Sequence, residues 1–254
     1  MAVRKIRANC RSVTGLVADD QSARSTAYES SLERDFIKHL LFNKNVLKHE
    51  EQPLTIDFTD TSGKQRRYTP DLLVSYRKDV ALTKDWRPLL AEVKYRSDLF
   101  QHWAELKPKF RAARAYARER SWDFVVVTEQ ELRTSYLTNI TFLLEFRKHP
   151  VNEVLTRPLL ETVAGMSPAT PASLLTFLSN DATQKATLLP ALWQLVANGR
   201  IGVDLEKRLT MRTPIWLRRS KERRERDEPT ARVSAGSSHR MRGQALRYFP
   251  HSES

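Results

Sequence analysis

The first half of the chain alternates between hydrophobic patterns typical of helices and of strands. In residues 28–48, Leu32, Phe36 and Leu40 fall on one face at the period of a helix. Short strand-like segments follow, and turn residues separate them. The pattern predicts helix, hairpin, strand, strand, helix, strand, helix over residues 28–48, 55–60 with 66–68, 71–76, 89–95, 101–120, 123–127 and 137–147.

The strand predicted at residues 89–95 carries charge on one face. Its odd-numbered positions are apolar or aromatic, and Glu92 and Lys94 alternate with them. Because side chains two residues apart in a strand project to the same side, Glu92 and Lys94 should point in one direction. These two side chains are therefore the start of a candidate site.

The second half of the chain is helical, with prolines between the helices. Thr170-Pro171 predicts the start of a helix, and Asn198-Gly199 predicts the end of another. Two strand-like segments follow at 201–205 and 209–216, which together with the helices are typical of a winged-helix-like module. The sequence predicts a basic leader at 1–26, an α/β domain at 27–150, a winged-helix-like domain at 151–217 and a basic disordered tail at 218–254.

The chain is strongly basic. It has 254 residues, with 43 Lys and Arg against 30 Asp and Glu, and its formal net charge is +13. A basic surface of this size favours a polyanionic partner such as nucleic acid. The basic helix at 101–120 is the candidate for phosphate contacts, although a solvated helix face is an equally open interpretation. The DNA-binding candidates on it are Lys107, Lys109, Arg111, Arg114 and Arg118.

Several classes of protein are excluded by composition. Cys10 is the only cysteine, which excludes an internal disulfide, a cysteine-based zinc site and an iron–sulfur cluster. The chain has no long apolar run for a membrane helix, and its basic N-terminus leads into no apolar signal segment, so we expect a cytoplasmic protein. It also has no glycine-rich phosphate loop, so ATP hydrolysis is not expected from this chain.

The strongest chemical pattern joins two acids and a lysine. Pro70-Asp71 precedes one predicted strand, and Glu92 and Lys94 lie on another strand. If these strands pair, two carboxylates converge, and carboxylate oxygens are the ligands that Mg²⁺ prefers. Such a metal polarises a phosphoryl oxygen and activates water, while a lysine can orient that water or help to deprotonate it. The pattern therefore predicts phosphodiester hydrolysis.

A third carboxylate, Glu33, is the upstream candidate for the same site. It lies beside the apolar stripe of the first helix, where a carboxylate is costly unless it is paired or binds a metal. Glu29 lies one turn earlier and is its nearest competitor, although an acid at a helix start is favoured without any catalytic role.

Four segments resemble the TnsA family, the endonuclease subunits of heteromeric cut-and-paste transposases. They are Arg11-Ser-Val-Thr-Gly15, Tyr28-Glu-Ser-Ser-Leu-Glu-Arg-Asp-Phe36, Tyr68-Thr-Pro-Asp71 and Glu92-Val-Lys94. The resemblance implies an α/β fold, namely a restriction-endonuclease-like PD-(D/E)xK domain with a small C-terminal winged-helix-like domain. It implies that Glu33, Asp71, Glu92 and Lys94 are catalytic and that Asp71, Glu92 and Glu33 bind the metal.

The same resemblance implies a reaction and its partners. Members cut the 5′ strand at each transposon end with Mg²⁺, for which Mn²⁺ can substitute. A DDE transposase, TnsB, acts on the other strand, and an AAA+ ATPase, TnsC, links both to target selection. Some relatives have glutamine at the position of Glu92. The implied partners are double-stranded transposon-end DNA, a TnsB-like transposase and a TnsC-like ATPase, with no membrane and no organic cofactor, in a bacterial cytoplasm and at the nucleoid when assembled.

Two alternatives stay open at this point. One is a stand-alone restriction or repair nuclease of the same fold, against which the leader and first-helix motifs argue. The other is a DNA-binding adaptor whose acidic site is degenerate, against which the presence of all four expected residues argues. Efficient cutting of arbitrary duplex by the purified chain would favour the first alternative.

Overall fold

The computed structural model describes residues 30–80 and 83–218, and also the backbone of two strands, Gly15–Asp19 (β1) and Arg24–Tyr28 (β2). These strands pair with each other in antiparallel fashion, and β2 extends two residues past the predicted leader at 1–26. The rest of that leader, Glu29 and the predicted tail beyond Arg218 lie outside the described residues.

The described chain divides into two compact units, one ending at Arg133 and the other beginning at Thr134. After β1 and β2, the first unit contains α1 (Ser31–Phe42), β3 (Val46–Glu51), β4 (Ile56–Thr59), β5 (Gln65–Tyr68), β6 (Leu72–Tyr76), β7 (Leu89–Val93), α2 (Arg96–Gln101), α3 (Trp103–Glu119), β8 (Asp123–Val127) and α4 (Glu129–Leu132). The second contains α5 (Ser135–Arg147), α6 (Glu153–Gly165), α7 (Pro171–Leu178), α8 (Ala182–Ala197), β9 (Ile201–Val203) and β10 (Ile215–Leu217).

The first unit is built on a mixed four-stranded sheet in the order β3-β6-β7-β8. The first three strands are antiparallel, and β7 and β8 are parallel. Alternation in β7 gives the sheet two buried faces. Ala91 and Val93 pack in one cluster with Phe36 of α1, whereas Leu90 packs in another with Ala113 of α3. This is the mixed α/β architecture that the sequence pattern predicted.

Two helices in the first unit differ from the prediction. The first helix ends at Phe42 instead of residue 48, because the chain turns at Asn43 and residues 46–51 form β3, which pairs with β6. The basic helix is also divided, since α2 ends before His102 and α3 starts at Trp103. The predicted capping box at Thr128 is confirmed.

The second unit consists of four helices and a short antiparallel strand pair, β9 with β10. The predicted Thr170-Pro171 start of α7 and the end of α8 at Asn198 are confirmed. The helix α6 and the start of α8, where Asp181 is the N-cap, were not predicted. The α/β domain was expected to extend to residue 150, but α5 packs against α8 in the second unit.

Candidate active site

Two neighbouring strands bring Asp71 and Glu92 face to face. Leu72 of β6 pairs with Ala91 of β7 in antiparallel register, so Asp71, directly before β6, lies opposite Glu92. The Asp71 carboxylate is fixed from β7 as well, because the Val93 N–H donates to its Oδ2 at 2.7 Å. The start of one strand and the end of the next thus present two carboxylates at one place.

Glu92 is almost completely buried, with 1% of its surface exposed, and it is surrounded by donors. Its Oε1 lies 3.4 Å from Nζ of Lys94 and 3.3 Å from Nζ of Lys109. Its Oε2 accepts a hydrogen bond from the hydroxyl of Tyr68 at 2.7 Å. Burial, followed by the charge of Glu92, raises the pKa of Tyr68 far above its ordinary value, so this phenol is a permanent donor.

The electrostatics of the site show that its four predicted residues influence one another. Burial raises the pKa of Asp71 well above its usual value, and the charges of Glu92 and Glu33 add to this, against an opposing effect of Lys94. Burial alone would lower the pKa of Lys94. Attraction to Glu92, Asp71 and Glu33 outweighs it, so the pKa of Lys94 is raised and the lysine is a stable cation.

Glu33 acts on this site from the first turn of α1, where it also contacts Ser30, the residue that caps the helix. Ser30 Oγ accepts from the backbone N–H of Glu33 at 3.1 Å and donates to its Oε1 at 3.0 Å. The Ser-x-x-Glu spacing of residues 30–33 is a capping signature that the sequence analysis did not use. Glu33 is half-buried, and its charge acts on both Asp71 and Lys94. The structure therefore brings Glu33 near the site while giving it a structural role.

A second group of polar contacts joins α1 to the segment after β7. Arg133 Nε lies 3.0 Å from Asp35 Oδ2, and its Nη2 donates to the hydroxyls of Ser31 at 2.9 Å and Tyr95 at 3.0 Å. Since Tyr95 follows Lys94 and Ser31 precedes Glu33 by two positions, these contacts fix the start of α1 relative to the site. No pattern in the sequence connects Arg133 with α1.

The predicted DNA-binding residues separate into two groups on α3. At about 100° per residue, Lys107, Arg111, Arg114 and Arg118 form one stripe. The three arginines of this basic stripe are exposed. Lys109 is about 200° from Lys107 and lies on the other flank of the buried face, where it contacts Glu92. Sequence reasoning treated Lys109 as one more phosphate contact and gave no role to Tyr68.

The donor set suits a hard divalent cation held by few protein ligands. Within residues 30–80 and 83–218, no three His, Cys, Asp or Glu side chains are grouped as a metal site. The two carboxylates of Asp71 and Glu92 are enough for Mg²⁺. This ion usually binds one or two carboxylates and completes its shell with water and substrate phosphates. Burial and, after it, the negative charge of Glu92 raise the pKa of Asp71, and a bound cation would relieve both effects.

The segment that contains Asp71, Glu92 and Lys94 is similar to a known protein family. Residues 43–129, about a third of the chain, match the family model described as TnsA-like endonuclease N terminal. The chain carries a TnsA-like endonuclease domain. The matched range includes Asp71, Glu92 and Lys94, whereas Glu33 lies before it. The resemblance to the TnsA family is confirmed by this match, which includes the motifs at residues 68–71 and 92–94.

The match to a TnsA-like endonuclease domain supports a nuclease, and therefore an enzyme. No curated protein matches the chain. Among the helices that the structure describes, none has the length and apolar character to cross a membrane.

Proposed function

We propose that this protein is the metal-dependent DNA endonuclease subunit of a heteromeric transposase, and that it cleaves the 5′ strand at transposon ends. It would work with a TnsB-like DDE transposase and a TnsC-like AAA+ ATPase, in the cytoplasm and at the nucleoid when assembled. The observation that supports this best is the convergence of Asp71, Glu92 and Lys94 inside the segment that matches the endonuclease family.

Asp71 and Glu92 are the proposed holders of Mg²⁺, with Mn²⁺ as a substitute. When bound, the ion supplies Lewis-acid polarisation of the phosphate and a bound water of lowered pKa. Asp71 is suited to this because the Val93 N–H holds its carboxylate at the edge of the strand pair. Glu33 is proposed to complete the site or to position a second ion, and its charge acts on Asp71 from the start of α1.

Lys94 is proposed to orient the attacking water and to balance charge near the phosphate. Its raised pKa keeps it as an ammonium group at neutral pH, which supports donation to water and argues against acceptance of a proton. Its Nζ lies 3.4 Å from Glu92 Oε1, so the carboxylate fixes where this ammonium group can reach.

DNA is proposed to meet the basic stripe of Lys107, Arg111, Arg114 and Arg118 through its phosphates. Phosphate contacts of this kind give affinity and register with little sequence information. The four helices and the β9–β10 pair of the second unit are proposed to form a winged-helix-like DNA-binding domain. Recognition of a particular transposon end would then come largely from the partner transposase.

The test is a reconstituted nicking reaction that contains the full chain, its partner transposase and ATPase, transposon-end DNA and Mg²⁺. We expect 5′-strand cleavage that requires the metal, that Mn²⁺ also supports, and that Asp71→Asn abolishes. Asp57→Asn is the matched control, since Asp57 is exposed and lies 3.9 Å from Arg67 on the β4–β5 hairpin. Metal-dependent nicking by Asp71→Asn at the wild-type rate would reject the assigned site. Efficient cutting of arbitrary duplex by the chain alone would favour a stand-alone nuclease.

A further inference from the structure

The carboxylate of Glu92 is held at both of its oxygens by side chains outside the predicted catalytic set. Tyr68, the last residue of β5, donates to Oε2 at 2.7 Å. Lys109, from the second turn of α3, donates to Oε1 at 3.3 Å. The two residues also contact each other, because Nζ of Lys109 lies 4.9 Å from the centroid of the Tyr68 ring. A hairpin strand and a helix thus converge on one glutamate.

The position of Lys109 separates it from the neighbouring basic residues. Its side chain is 19% exposed, and it crosses aromatic surface to reach Glu92, with Nζ at 5.4 Å from the Phe110 ring centroid. The exposed residues of the basic stripe lie on the opposite flank of α3. A lysine directed into the protein at a buried carboxylate is placed for an intramolecular role and is poorly placed for DNA.

We propose that Tyr68 and Lys109 are positioning residues that hold the Glu92 carboxylate in its metal-binding orientation. A glutamate has three rotatable side-chain bonds, so without these donors its carboxylate can adopt several orientations. Partners that orient a metal ligand commonly change metal affinity or activity by about 10–100-fold when they are removed. The inference rests on the proposed metal-dependent function of the same site.

The experiment measures Mn²⁺ affinity of the full chain by isothermal titration calorimetry, without DNA or partners. Tyr68→Phe removes one hydroxyl and keeps the ring that packs edge-on against Phe110. Lys109→Met removes the ammonium group and keeps the length of the side chain. We expect about tenfold weaker Mn²⁺ binding for each variant, with a cooperative thermal transition that shows the fold is kept, and partial recovery in Lys109→Arg.

Two controls match these changes in chemistry. Tyr116→Phe removes a phenol hydroxyl elsewhere on α3, on a residue whose ring packs against Trp122. Lys107→Met removes the same charge as Lys109→Met, two positions earlier on the helix. Both controls should bind Mn²⁺ within about twofold of wild type, whereas Lys107→Met should weaken DNA binding, measured by fluorescence anisotropy, and Lys109→Met should not.

The outcomes separate this inference from the proposed function. If wild type binds Mn²⁺ and Asp71→Asn does not, but Tyr68→Phe and Lys109→Met bind normally, the positioning role is wrong and the metal site stands. Tighter binding by Lys109→Met would also overturn it, because the lysine would then only oppose the cation. Absence of Mn²⁺ binding by wild type would reject the metal site itself and this inference with it. In the reconstituted nicking reaction, the positioning role predicts a lower kcat with little change in KM for DNA.

Discussion

The two units of the protein bury different kinds of polar side chain. In the described part of the first unit, three ionisable residues are buried besides two threonines: Asp35, His39 and Glu92, with Thr83 and Thr128. In the described part of the second unit, the buried polar residues are uncharged: Asn139, Thr156, Gln194 and Thr213. Since a buried charge costs far more than a buried amide, this difference separates a unit that contains a site from one that is built for packing.

The buried amides of the second unit connect loops to helices. Asn139 of α5 donates to the carbonyl oxygens of Leu205 at 2.8 Å and Lys207 at 2.7 Å, and it accepts from the Leu209 N–H at 2.9 Å. Gln194 of α8 donates to the carbonyl oxygen of His149 at 2.6 Å. Each buried amide has its own polar atoms satisfied and binds a neighbouring loop to its helix, so these residues stabilise the fold.

Burial of a charge does not by itself indicate a site, as the first unit shows. Asp35 is as buried as His39, yet it lies 3.0 Å from Nε of Arg133 and 3.2 Å from Nη2 of Arg34, which makes it a structural ion pair. Glu92 differs because it faces a second carboxylate, Asp71, across the strand pair. Placing two carboxylates together is costly even with Lys94 and Lys109 beside them, and this arrangement distinguishes the site from the structural pair.

Replacement of the buried glutamate should have the largest effect on activity and little effect on stability. Glu92→Gln keeps an oxygen that can accept from Tyr68 but removes the charge that a metal needs. We expect nicking in the reconstituted reaction to fall more than ~100-fold, beyond the range for a residue that only positions a ligand. Urea denaturation should show a change in stability of less than about 1 kcal/mol.

The matched control for that change is Glu119→Gln, an exposed glutamate at the end of α3 that lies 3.5 Å from Arg120. It should leave both activity and stability at wild-type values. If Glu92→Gln instead unfolds the first unit while remaining active when folded, the buried charge is structural, and the contrast between the units disappears.

Replacement of a buried amide in the second unit should lower stability and leave metal binding unchanged. Asn139→Ala leaves two carbonyl groups and one N–H of the following loop without their partner, which should cost about 2–3 kcal/mol of stability. Faster hydrogen exchange of the α8 amides measures this loss, and Asn180→Ala, an exposed position, is the control. Mn²⁺ affinity should be unchanged. A loss of metal binding in Asn139→Ala would show that the second unit contributes to the site.

The geometry of the paired strands could be predicted from the sequence, because it depends on local periodicity. Alternation in residues 89–95 fixes Glu92 and Lys94 on one side of the strand, and pairing with the strand after Pro70 places Asp71 opposite. Helix ends at Thr128 and Asn198 were predictable for the same reason, since caps depend on neighbouring residues. Features that depend on neighbouring residues could therefore be predicted from the sequence.

The contacts around Glu92 could not be predicted, because they join distant segments. Tyr68 is 24 positions from Glu92, and nothing in its own surroundings identifies that partner. The assignment of Lys109 needed the exact position of the buried face of α3, since its neighbours in the sequence lie on the other flank. The strand β3 was missed because its apolar residues, Val46 and Leu47, extend the helical pattern of α1 beyond Asn43, where the chain turns.

The double role of Glu33 gives a smaller and more discriminating test. Ser30→Ala removes the cap of α1 and should cost about 1 kcal/mol, with nicking that stays within a few-fold of wild type. Glu33→Gln keeps an oxygen that can accept from Ser30 but removes the charge near Asp71, so stability should change little and nicking should fall about tenfold or more. Equal, small losses of stability in both variants, with normal nicking, would leave Glu33 with a structural role alone.

The smallest effects should come from the basic stripe on α3, whose residues are exposed and act one at a time. Arg114→Ala removes one phosphate contact, so the slope of log affinity against log salt should decrease by about one. Fluorescence anisotropy with transposon-end duplex in Ca²⁺ measures binding, and Mn²⁺ affinity of the free chain should stay at its wild-type value. Arg77→Ala removes the same charge from a residue that pairs with Asp79 and should leave the slope unchanged. An unchanged slope in Arg114→Ala would make this face of α3 a solvated surface, because a residue that neutralises a phosphate cannot be removed without retaining a counterion on the DNA.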